Sequence, residues 1–555
     1  MIKRNPILLL LILLLNLIFY VNVNTATTQS YIPRKIDFDR SGIPKNILLG
    51  SYVGGRSHVK PMLDVAAILI ERGYNVTLLS AGRYEPSSEY PGLNQITLKP
   101  PLRIKDLKNV NIHEDSGFRG LSQVTEMSIN DYGKTYEKYK KVAIEYNIDL
   151  FFCDVLVNDA CMDIANNLKK PVIAWSSSLQ FMDPVPYKND PMFGCNISLE
   201  NESFFERFRC ALIQPLQIAY TMAPLARQLN DARKQIDIKP VSGKMPKVSL
   251  ALVDTFFGFE LPQHLAPNVQ EIGPVLSKEY PPLTPELSNF MNAHERVLYV
   301  AFGTRFFTTT ENNNKILQSL VEAINKKIID GVVWPLVETS RDNFYPTLNL
   351  TDGTQVQTLP ILNNEHPHIH IANFAPQFAV LNHTNTKLFF SHGGAGSVHE
   401  SLYTGTPMLI LPFGADQIGN SHKLKSIGVA LTLNKLTLDV NDILNKISKL
   451  LEDEKIKKNL KRMEVLAKIN SKRKYRAADL IEYILQNSGL EEYVNDDFLK
   501  EWEPASSRMG FIKANNFDVY GALLGVVLTL FGGIAFKLFK LISNSSSIKI
   551  KSKKA

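Results

Sequence analysis

The sequence predicts two doubly wound, Rossmann-like α/β domains that face each other across a cleft, and three observations lead to this fold class. Two stretches, starting near residues 46 and 297, each alternate buried strands with helical windows. A proline-rich segment at residues 280–285 (YPPLTP) separates them and cannot continue either sheet. With 45% hydrophobic and 21% charged residues over 555 positions, the composition is that of a globular protein of several domains.

The first stretch opens as a βαβ unit. Its first strand (NILLGS) is followed by a glycine-containing loop and by a helix whose apolar side chains recur on one face. A later buried strand ends in an acid, Asp154. The predicted elements are strand 46–51, helix 59–72, strand 76–80, strand 148–154, helix 158–168 and strand 171–175.

The second stretch repeats this alternation. Between the two stretches, residues 204–236 predict a long, partly amphipathic helical insertion. It could line an acceptor site, lie on a membrane surface or pack as a helix pair on the first domain. A final helix at residues 473–487 could cross back to brace the first domain. The predicted strands of the second stretch are 297–303, 332–337, 369–374, 387–391 and 408–411.

The formal net charge of +8 comes from the two ends of the chain. Lys3 and Arg4 precede one apolar run, and six lysines follow another, with no acid after Asp518. Without those eight cations, the basic and acidic residues balance at 54 each. The body is therefore neutral, and no nucleic-acid partner is expected.

Both apolar runs are typical of membrane targeting. Residues 7–18 are almost wholly aliphatic, and this run is too short to span a bilayer comfortably. It predicts a signal peptide at residues 1–26, with an uncleaved anchor as the alternative. Residues 519–536 carry no charge and predict a transmembrane helix at 519–542, with a buried core helix as the alternative. The basic tail, residues 543–555, satisfies the positive-inside rule, so the body is expected to be lumenal.

The final residues (KSKKA) resemble the dilysine-type signal that returns type I membrane proteins to the endoplasmic reticulum, and a plain stop-transfer cluster is the alternative. The sequence thus predicts a single-pass type I protein of that membrane. Asparagines of lumenal sequons would be candidate glycosylation sites. Those sequons begin at Asn196, Asn201, Asn349 and Asn382.

The four cysteines suit an oxidising lumen, which permits a disulfide. Cys195 and Cys210 bracket a polar segment and could pair. Cys153 and Cys161 fall in a predicted strand and helix and are expected to be core thiols. Spacing alone settles neither expectation.

The densest signal is the glycine-rich segment 391–397 (SHGGAGS), between a predicted buried strand and a helix. Glycines let the backbone approach a ligand closely. The start of the helix presents unpaired N–H groups and a positive dipole end. Alone, this arrangement predicts a generic anion site.

The window of residues 374–417 around that segment resembles the donor-binding signature of the UDP-glycosyltransferases, glycosyltransferase family 1, which have the GT-B fold. A weaker resemblance extends from about residue 46 to residue 540. The matching residues, in register without a gap, are Gln377, His383, His392, Gly394, Ser397, Glu400, Gly405, Pro407, Pro412, Asp416 and Gln417.

The resemblance implies a role for each residue of the donor site. The uracil would be bound by Gln377 and by the Ala375 backbone, and the helix start after Gly394 would face the leaving diphosphate. Each residue type suits its role, because an imidazole can donate to an anion and a carboxylate accepts from a vicinal diol. His392 and Ser397 would bind the diphosphate, Glu400 would bind the ribose, and Asp416 and Gln417 would bind the sugar.

The sequence departs from the family pattern at three donor positions. The usual tryptophan that stacks on uracil is Phe374, a smaller stacking face. The asparagine that often contacts phosphate is Gly396, so that contact would come from the backbone or be lost. Thr304 replaces a usual serine near the β-phosphate and keeps the hydroxyl. Arg305 beside it is unusual and has no assigned role.

The catalytic residues implied by the resemblance are His58 and Asp154. Residues 54–61 (GGRSHVKP) fall in the first strand-to-helix loop and look like the family's GSHxxP segment, so His58 would remove the proton of the acceptor hydroxyl. Histidine suits this role because its pKa lies near neutrality. Asp154 stands where the family has the acid that orients the histidine, and a helix N-cap is its alternative role.

Together these features predict an inverting hexosyltransferase that moves glucose or glucuronic acid from UDP-glucose or UDP-glucuronate to the hydroxyl of a small lipophilic acceptor. Asp37 and Asp39 match the spelling of the metal-binding motif of another glycosyltransferase fold, but they precede the first strand, outside any nucleotide site. No Cys/His cluster has zinc spacing, so no metal or other cofactor is expected. The alternatives are a non-catalytic UDP-sugar-binding membrane subunit and a GT-B-fold epimerase of UDP-sugars.

The chain is accordingly divided into seven predicted segments. The donor signature belongs to the second Rossmann-like domain, and the predicted base belongs to the first. The segments are a signal peptide (1–26), an acceptor-binding domain (46–276), a linker (277–292), a UDP-sugar-binding domain (293–486), a return and juxtamembrane segment (487–517), a transmembrane helix (519–542) and a cytosolic tail (543–555).

Overall fold

The structure is a computed structural model, and it describes residues 40–85, 89–101, 117–177, 202–240, 248–260, 262, 265–304, 308–337, 339–488 and 509–551. The chain divides into two compact units, Met1–Ile43 and Pro44–Ala555, and every element below belongs to the second. Several predictions lie outside the described residues: the signal peptide, Cys195, Asn196, Asn201 and Arg305.

The N-terminal sheet has seven strands, each parallel to its neighbours. They are β1 (Asn46–Ser51), β2 (Asn75–Ala81), β3 (Asn94–Lys99), β4 (Leu150–Asp154), β5 (Val172–Ser176), β6 (Leu250–Val253) and β7 (Val269–Glu271). Their order in the sheet is β3-β2-β1-β4-β5-β6-β7, so the direction of winding reverses between β1 and β4. In doubly wound sheets, this reversal point opens a crevice for ligands.

The C-terminal sheet repeats the arrangement with six parallel strands. The strands of this domain are β8 (Val297–Ala301), β9 (Gly331–Pro335), β10 (Thr347–Asn349), β11 (Gln355–Gln357), β12 (Ile369–Ala372), β13 (Thr386–Ser391), β14 (Met408–Ile410) and β15 (Ala430–Thr432). The sheet order is β12-β9-β8-β13-β14-β15, and β10 and β11 form a separate antiparallel pair. The predicted pair of parallel Rossmann-like sheets is therefore confirmed.

The helices connect and cover these strands. In chain order they are α1 (Arg56–Glu71), α2 (Gly117–Asn130), α3 (Tyr132–Glu145), α4 (Asp159–Asn167), α5 (Phe204–Phe208), α6 (Gln214–Gln235), α7 (Pro285–Asn292), α8 (Thr310–Asn325), α9 (Thr358–Leu362), α10 (Gln377–Leu381), α11 (Ala395–Thr404), α12 (Asp416–Ser426), α13 (Val440–Glu452), α14 (Glu454–Asn470), α15 (Arg473–Ser488), α16 (Phe511–Ala514) and α17 (Phe517–Lys551).

Burial explains which strands the sequence predicted. Strands β4 (LFFCD) and β8 (VLYVA) are buried at every position, because both faces of a central parallel strand are covered. The edge strand β3 (NQITLK) has no fully buried residue. The hydrophobic pattern does not predict the edge strands β3, β7 and β15, or β6, which has only four residues.

The prediction that Cys153 and Cys161 are free core thiols is wrong. They form a disulfide bond, with Cα atoms 6.1 Å apart. The bond joins β4 to α4, which packs directly against that strand and brings the two side chains together. Cys210 is also disulfide-bonded, and its predicted partner lies outside the described residues.

The helical insertion forms one continuous helix and not a helix pair. Helix α5 continues through a π-helical turn, Arg209–Ile213, into α6. The later part packs on the N-terminal sheet's helices, because Arg233 is buried and its guanidinium donates to Asp159 (3.0 Å) and Asp163 (2.7 Å) on α4. The early part exposes a set of large apolar side chains, Phe204, Phe205, Phe208, Leu212, Leu216 and Tyr220.

The last helices have distinct roles. Helix α15 crosses back onto α1 as expected, where Arg72 forms ion pairs with Asp479 and Glu482. In α17, Phe517–Ile542 is long and apolar enough to cross a membrane, and its apolar window is not buried at all. The alternative of a buried core helix is therefore contradicted. The helix continues to Lys551, beyond the predicted end at residue 542.

Candidate active site

The predicted catalytic residues meet at the reversal point of the N-terminal sheet. His58 lies in the first turn of α1, because that helix begins at Arg56, three residues before the predicted start at Val59. Its Nδ1 is 3.1 Å from Oδ2 of Asp154, the buried last residue of β4. Since Asn158 is the N-cap of α4, the N-cap role for Asp154 is not observed. Strands β1 and β4 are neighbours, so both side chains share one crevice.

Further hydrogen bonds hold Asp154 in place. The Ser51 hydroxyl donates to Oδ2 (2.9 Å), and the Leu156 N–H donates to Oδ1 (3.2 Å). Ser51 itself accepts from the Gly54 N–H at 3.0 Å. Gly54 has a positive φ, and a Cβ there would lie 2.2 Å from the Ala81 carbonyl oxygen, so this tight turn requires glycine. The carboxylate is thus fixed before any substrate binds.

The C-terminal domain presents the start of α11 directly after β13. The N-cap Gly394 supplies no side-chain hydrogen bond to the first turn. A Cβ at Gly394 would lie 2.5 Å from His392 Nε2, and one at Gly303 would lie 2.9 Å from it. Glycines on both sides therefore allow the backbone to close around His392. Amides and the dipole of a helix start suit a phosphate group.

His392 is a neutral residue at this helix start. Burial lowers the pKa of its imidazole to about 4, and a hydrogen bond with the Ala301 backbone only partly opposes that shift. At neutral pH the ring is therefore uncharged. The positive potential that would meet a diphosphate here comes mainly from α11 and its amides.

Glu400, Gln377 and Ser397 form one hydrogen-bonded group. Gln377 Nε2 donates to Glu400 Oε2 at 2.9 Å and to the Ser397 hydroxyl oxygen at 3.2 Å. Desolvation raises the pKa of Glu400, while the Gln377 hydrogen bond and the charge of Lys60, from the other domain, lower it. The side-chain nitrogen of Gln377, a residue predicted to bind uracil, thus faces the predicted ribose and phosphate ligands.

The remaining predicted donor residues follow the carboxyl ends of strands in the same sheet. Phe374 follows β12 and its side chain is 62% exposed, whereas the neighbouring Ala375 is buried. Thr304 is exposed just after β8. Gly396 is exposed too, and a Cβ there would meet no atom within 4 Å, so the site has room for the family's asparagine.

Asp416 and Gln417 begin α12, after β14. Asp416 Oδ2 accepts from Asn420 Nδ2 (3.1 Å), and Gln417 Oε1 accepts from the Phe413 N–H (2.8 Å). Desolvation raises the pKa of Asp416, and the charge of His58 lowers it. The predicted base of one domain thus contributes to the electrostatics of the predicted sugar ligand of the other.

Comparison with known proteins identifies the family. A family model described as UDP-glucoronosyl and UDP-glucosyl transferase matches residues 191–553, more than half of the chain. The chain belongs to this UDP-glycosyltransferase family. The transferase is 31% identical to UDP-glycosyltransferase 1 of Phaeomoniella chlamydospora, over 75% of this chain and 85% of the relative. It is 25% identical to UDP-glucuronosyltransferase 2B9 of Macaca fascicularis, over 85% of this chain and 89% of the relative.

Solved structures show the same fold. The transferase superposes on the glycotransferase of kitacinnamycin with a TM-score of 0.57 and 20% identity, covering 80% of this chain and 99% of that one. For a UDP-glucosyltransferase from Polygonum tinctorium, the TM-score is 0.54 and the identity is 18%, and the match covers 80% of this chain and 99% of that one. At these identities the likeness concerns the fold alone. The predicted family, GT-B fold and enzyme class are confirmed.

Two supporting residues of the transferase were not predicted from the sequence. Asn420 donates to Asp416 and also to the Gly393 carbonyl oxygen at 3.0 Å. Asn420 lies four positions after Asp416 at the start of a helix. Residues with this spacing share one helix face, so the sequence pattern indicates that the two side chains can meet. Ser51 gave no such signal, since 103 positions separate it from Asp154.

Replacing Glu400 with glutamine is expected to weaken UDP binding by about 10- to 100-fold, the usual effect of losing hydrogen bonds to a charged group. Burial raises the pKa of this carboxyl. Wild-type affinity should therefore fall as the pH drops from neutrality through that raised pKa, since the ionised form is the acceptor. Isothermal titration calorimetry would show a flatter pH dependence for Glu400→Gln. The exposed Glu311→Gln is the matched control, and unchanged UDP affinity in Glu400→Gln would contradict the assignment.

Ala415, directly before Asp416, has φ 53° and ψ −139°. Such a conformation costs a non-glycine residue about 1–3 kcal/mol. Ala415→Gly should raise the free energy of unfolding by about 1 kcal/mol, because the relieved strain exceeds the added chain freedom. It should also lower kcat/KM severalfold, since Asp416 is held less firmly. Denaturant unfolding and steady-state kinetics measure both, and a less stable variant would show that no strain is stored there.

Proposed function

We propose that the transferase moves a hexose, glucose or glucuronic acid, from its UDP-sugar to the hydroxyl of a small lipophilic acceptor, with inversion at the anomeric carbon. The observation that carries this proposal is the 3.1 Å contact between His58 Nδ1 and Asp154 Oδ2. The charge of His58 lowers the pKa of Asp416, a proposed sugar ligand of the other domain. A base and a sugar ligand on opposite domains suit a reaction between two substrates.

In the proposed mechanism His58 is the general base. Because its Nδ1 faces a carboxylate, Nδ1 carries the hydrogen, and Nε2 keeps the lone pair that accepts the proton of the acceptor hydroxyl. The acceptor oxygen then forms a bond to the anomeric carbon while the bond from that carbon to UDP breaks. UDP leaves with the bonding electrons, and Asp154 balances the charge of the imidazolium.

The start of α11 would stabilise the leaving UDP. Backbone amides and the helix dipole are fixed in position, so they stabilise the growing negative charge without rearranging. Because these groups belong to the protein, the proposed transfer is metal-independent. A chelator such as EDTA should therefore leave the rate unchanged, and restoration of a lost rate by a divalent cation would contradict this part of the proposal.

The two domains would divide the work. Residues 46–276 contain His58 and Asp154 and would bind the acceptor, residues 293–486 contain every proposed donor ligand, and residues 277–292 link them. Both donors stay open because the family description names glucuronosyl and glucosyl transfer alike. Gln417, with its side-chain oxygen held by the backbone, would present its amide nitrogen to a sugar hydroxyl.

We further propose a single-pass type I protein of the endoplasmic reticulum membrane with a lumenal body and a basic cytosolic tail. The apolar span of α17 supports an anchor, and the Cys153–Cys161 disulfide suits an oxidising compartment. The sequon residues Asn349 and Asn382 are exposed. Endoglycosidase H should increase the mobility of the wild-type chain, and a double Asn→Gln variant at these sequons should show a smaller shift.

A donor panel tests the proposed reaction. The full chain is incubated with UDP-glucose or UDP-glucuronate and with lipid or phenolic acceptors, and products are identified by mass spectrometry. A conjugate heavier by one hexose or one hexuronic acid identifies the sugar. Donor binding without any conjugate would favour a non-catalytic subunit, and an isomerised donor formed without acceptor would favour an epimerase.

A further inference from the structure

A short segment of the N-terminal domain packs inside the C-terminal domain. Residues 254–260 (DTFFGFE) follow β6, and Phe256 and Phe259 are buried in the hydrophobic cluster that includes Val398 and Leu402 of α11. Helix α11 therefore has a neighbour from each domain. Its donor-binding residues, Ser397 and Glu400, belong to one domain, while part of its packing comes from the other.

This contact includes one buried polar pair between the domains. His399 Nδ1 lies 3.5 Å from Asp254 Oδ1, and both side chains are less than 5% exposed. The imidazole is flanked by the rings of Phe256 and Phe259, with centroids 6.1 and 6.2 Å away. His399 Nδ1 forms no hydrogen bond within the described residues, so Asp254 is the polar group that it faces there. A buried polar atom that makes no hydrogen bond is rare in folded proteins and calls for an explanation.

Each member of the pair is attached to a functional element. His399 precedes Glu400 on α11, and successive helical residues are about 100° apart, so the two side chains leave the helix in different directions. Asp254 Oδ1 also accepts from the Val275 N–H at 2.8 Å, where the N-terminal domain ends. The pair thus connects the donor helix with the segment leading into the linker.

We propose that His399 and Asp254 are positioning residues, which hold α11 against the N-terminal domain so that the donor faces His58. A second buried pair, Lys423 Nζ with Glu260 Oε1 at 2.7 Å, fixes α12 to the same segment. The inference rests on the proposed role of His58. It adds that transfer depends on a contact that touches neither substrate.

The location of the pair predicts a split between binding and transfer. All proposed UDP ligands belong to the C-terminal domain, so UDP can bind without the pair. Transfer additionally needs His58 at the correct distance. His399→Phe should therefore leave the Kd for UDP within about twofold and lower kcat by about tenfold, a coupling of ordinary size between contacting residues. Phenylalanine keeps a flat ring between Phe256 and Phe259.

The test uses the full chain and a double-mutant cycle. Asp254→Ala removes the oxygen that faces His399 and should lower kcat at least as much as His399→Phe does, and the double variant should lose no more than Asp254→Ala alone. His399→Asn, whose amide can donate near the position of Nδ1, should recover much of the rate. The exposed His422→Phe on α12 is the matched control and should behave as wild type.

Other outcomes would overturn the inference. Unchanged kcat in His399→Phe, additive losses in the double variant, or no recovery in His399→Asn would each show that the pair does not position the domains. A loss of UDP affinity as large as the loss of kcat would show a local effect on α11 instead. If wild type transfers normally and His58→Ala does too, the proposed role of His58 fails, and this result is separate from the behaviour of the His399 variants.

Discussion

His58→Ala should lower kcat by about 10²- to 10⁴-fold, the range typical for loss of a general base. The Kd for UDP should stay near its wild-type value, because every proposed UDP ligand lies on the other domain. Steady-state kinetics with a saturating donor and calorimetry with UDP measure the two effects separately. A loss in this range is expected because Asp154 Oδ2 lies 3.1 Å from His58 Nδ1, where it can orient the imidazole.

A matched control separates chemistry from folding in this experiment. His422→Ala changes an exposed histidine on α12 and should retain both activity and UDP binding. A His58→Ala variant that transfers sugar at more than about a tenth of the wild-type rate would exclude a general-base role of ordinary size for His58. Loss of UDP binding together with activity would indicate damage to the donor domain.

Asp154→Asn should also lower kcat by about 10²- to 10⁴-fold, as expected when a carboxylate no longer fixes the histidine tautomer or balances the imidazolium. Asparagine keeps nearly the same shape, and its single side-chain oxygen can still accept one of the two hydrogen bonds that Ser51 and Leu156 donate to Asp154. The variant should therefore fold and bind UDP as wild type. The measurement is kcat across neutral pH, compared with the melting temperature.

The matched control is Asp231→Asn, which removes an exposed carboxylate on α6 and should leave kcat unchanged. If Asp154→Asn retained full activity, its contact with His58 would be structural. If the double variant His58→Ala/Asp154→Asn were much slower than either single variant, the two residues would not act as one unit, because members of a unit give non-additive losses.

The sequence predicts the central architecture because burial leaves a direct pattern. Strands such as β4 and β8 are buried throughout and largely apolar, and the glycine segment before α11 marks the proposed donor site. The edge strands β3, β7 and β15 escape prediction, since an exposed edge permits polar residues, as in β3. The start of α1 was predicted too late, because its first turn is polar and carries His58.

Contacts between distant residues could not be predicted. The hydrogen bond from Ser51 to Asp154 spans 103 positions, and the pair formed by Asp254 and His399 joins two domains. Neither residue pair has a local spacing that marks it. The strained backbone at Ala415 is equally hidden, because alanine gives no sequence sign of a positive φ.

The disulfide between Cys153 and Cys161 has a practical consequence for heterologous production. It attaches the residue immediately before Asp154 to α4, and Gly50 leaves just enough space for the Cys161 sulfur beside β1. A chain synthesised in a reducing bacterial cytoplasm would lack this crosslink next to the carboxylate that orients His58. Secretion into a periplasm or expression in a eukaryotic secretory system is therefore the appropriate route to material for kinetic work.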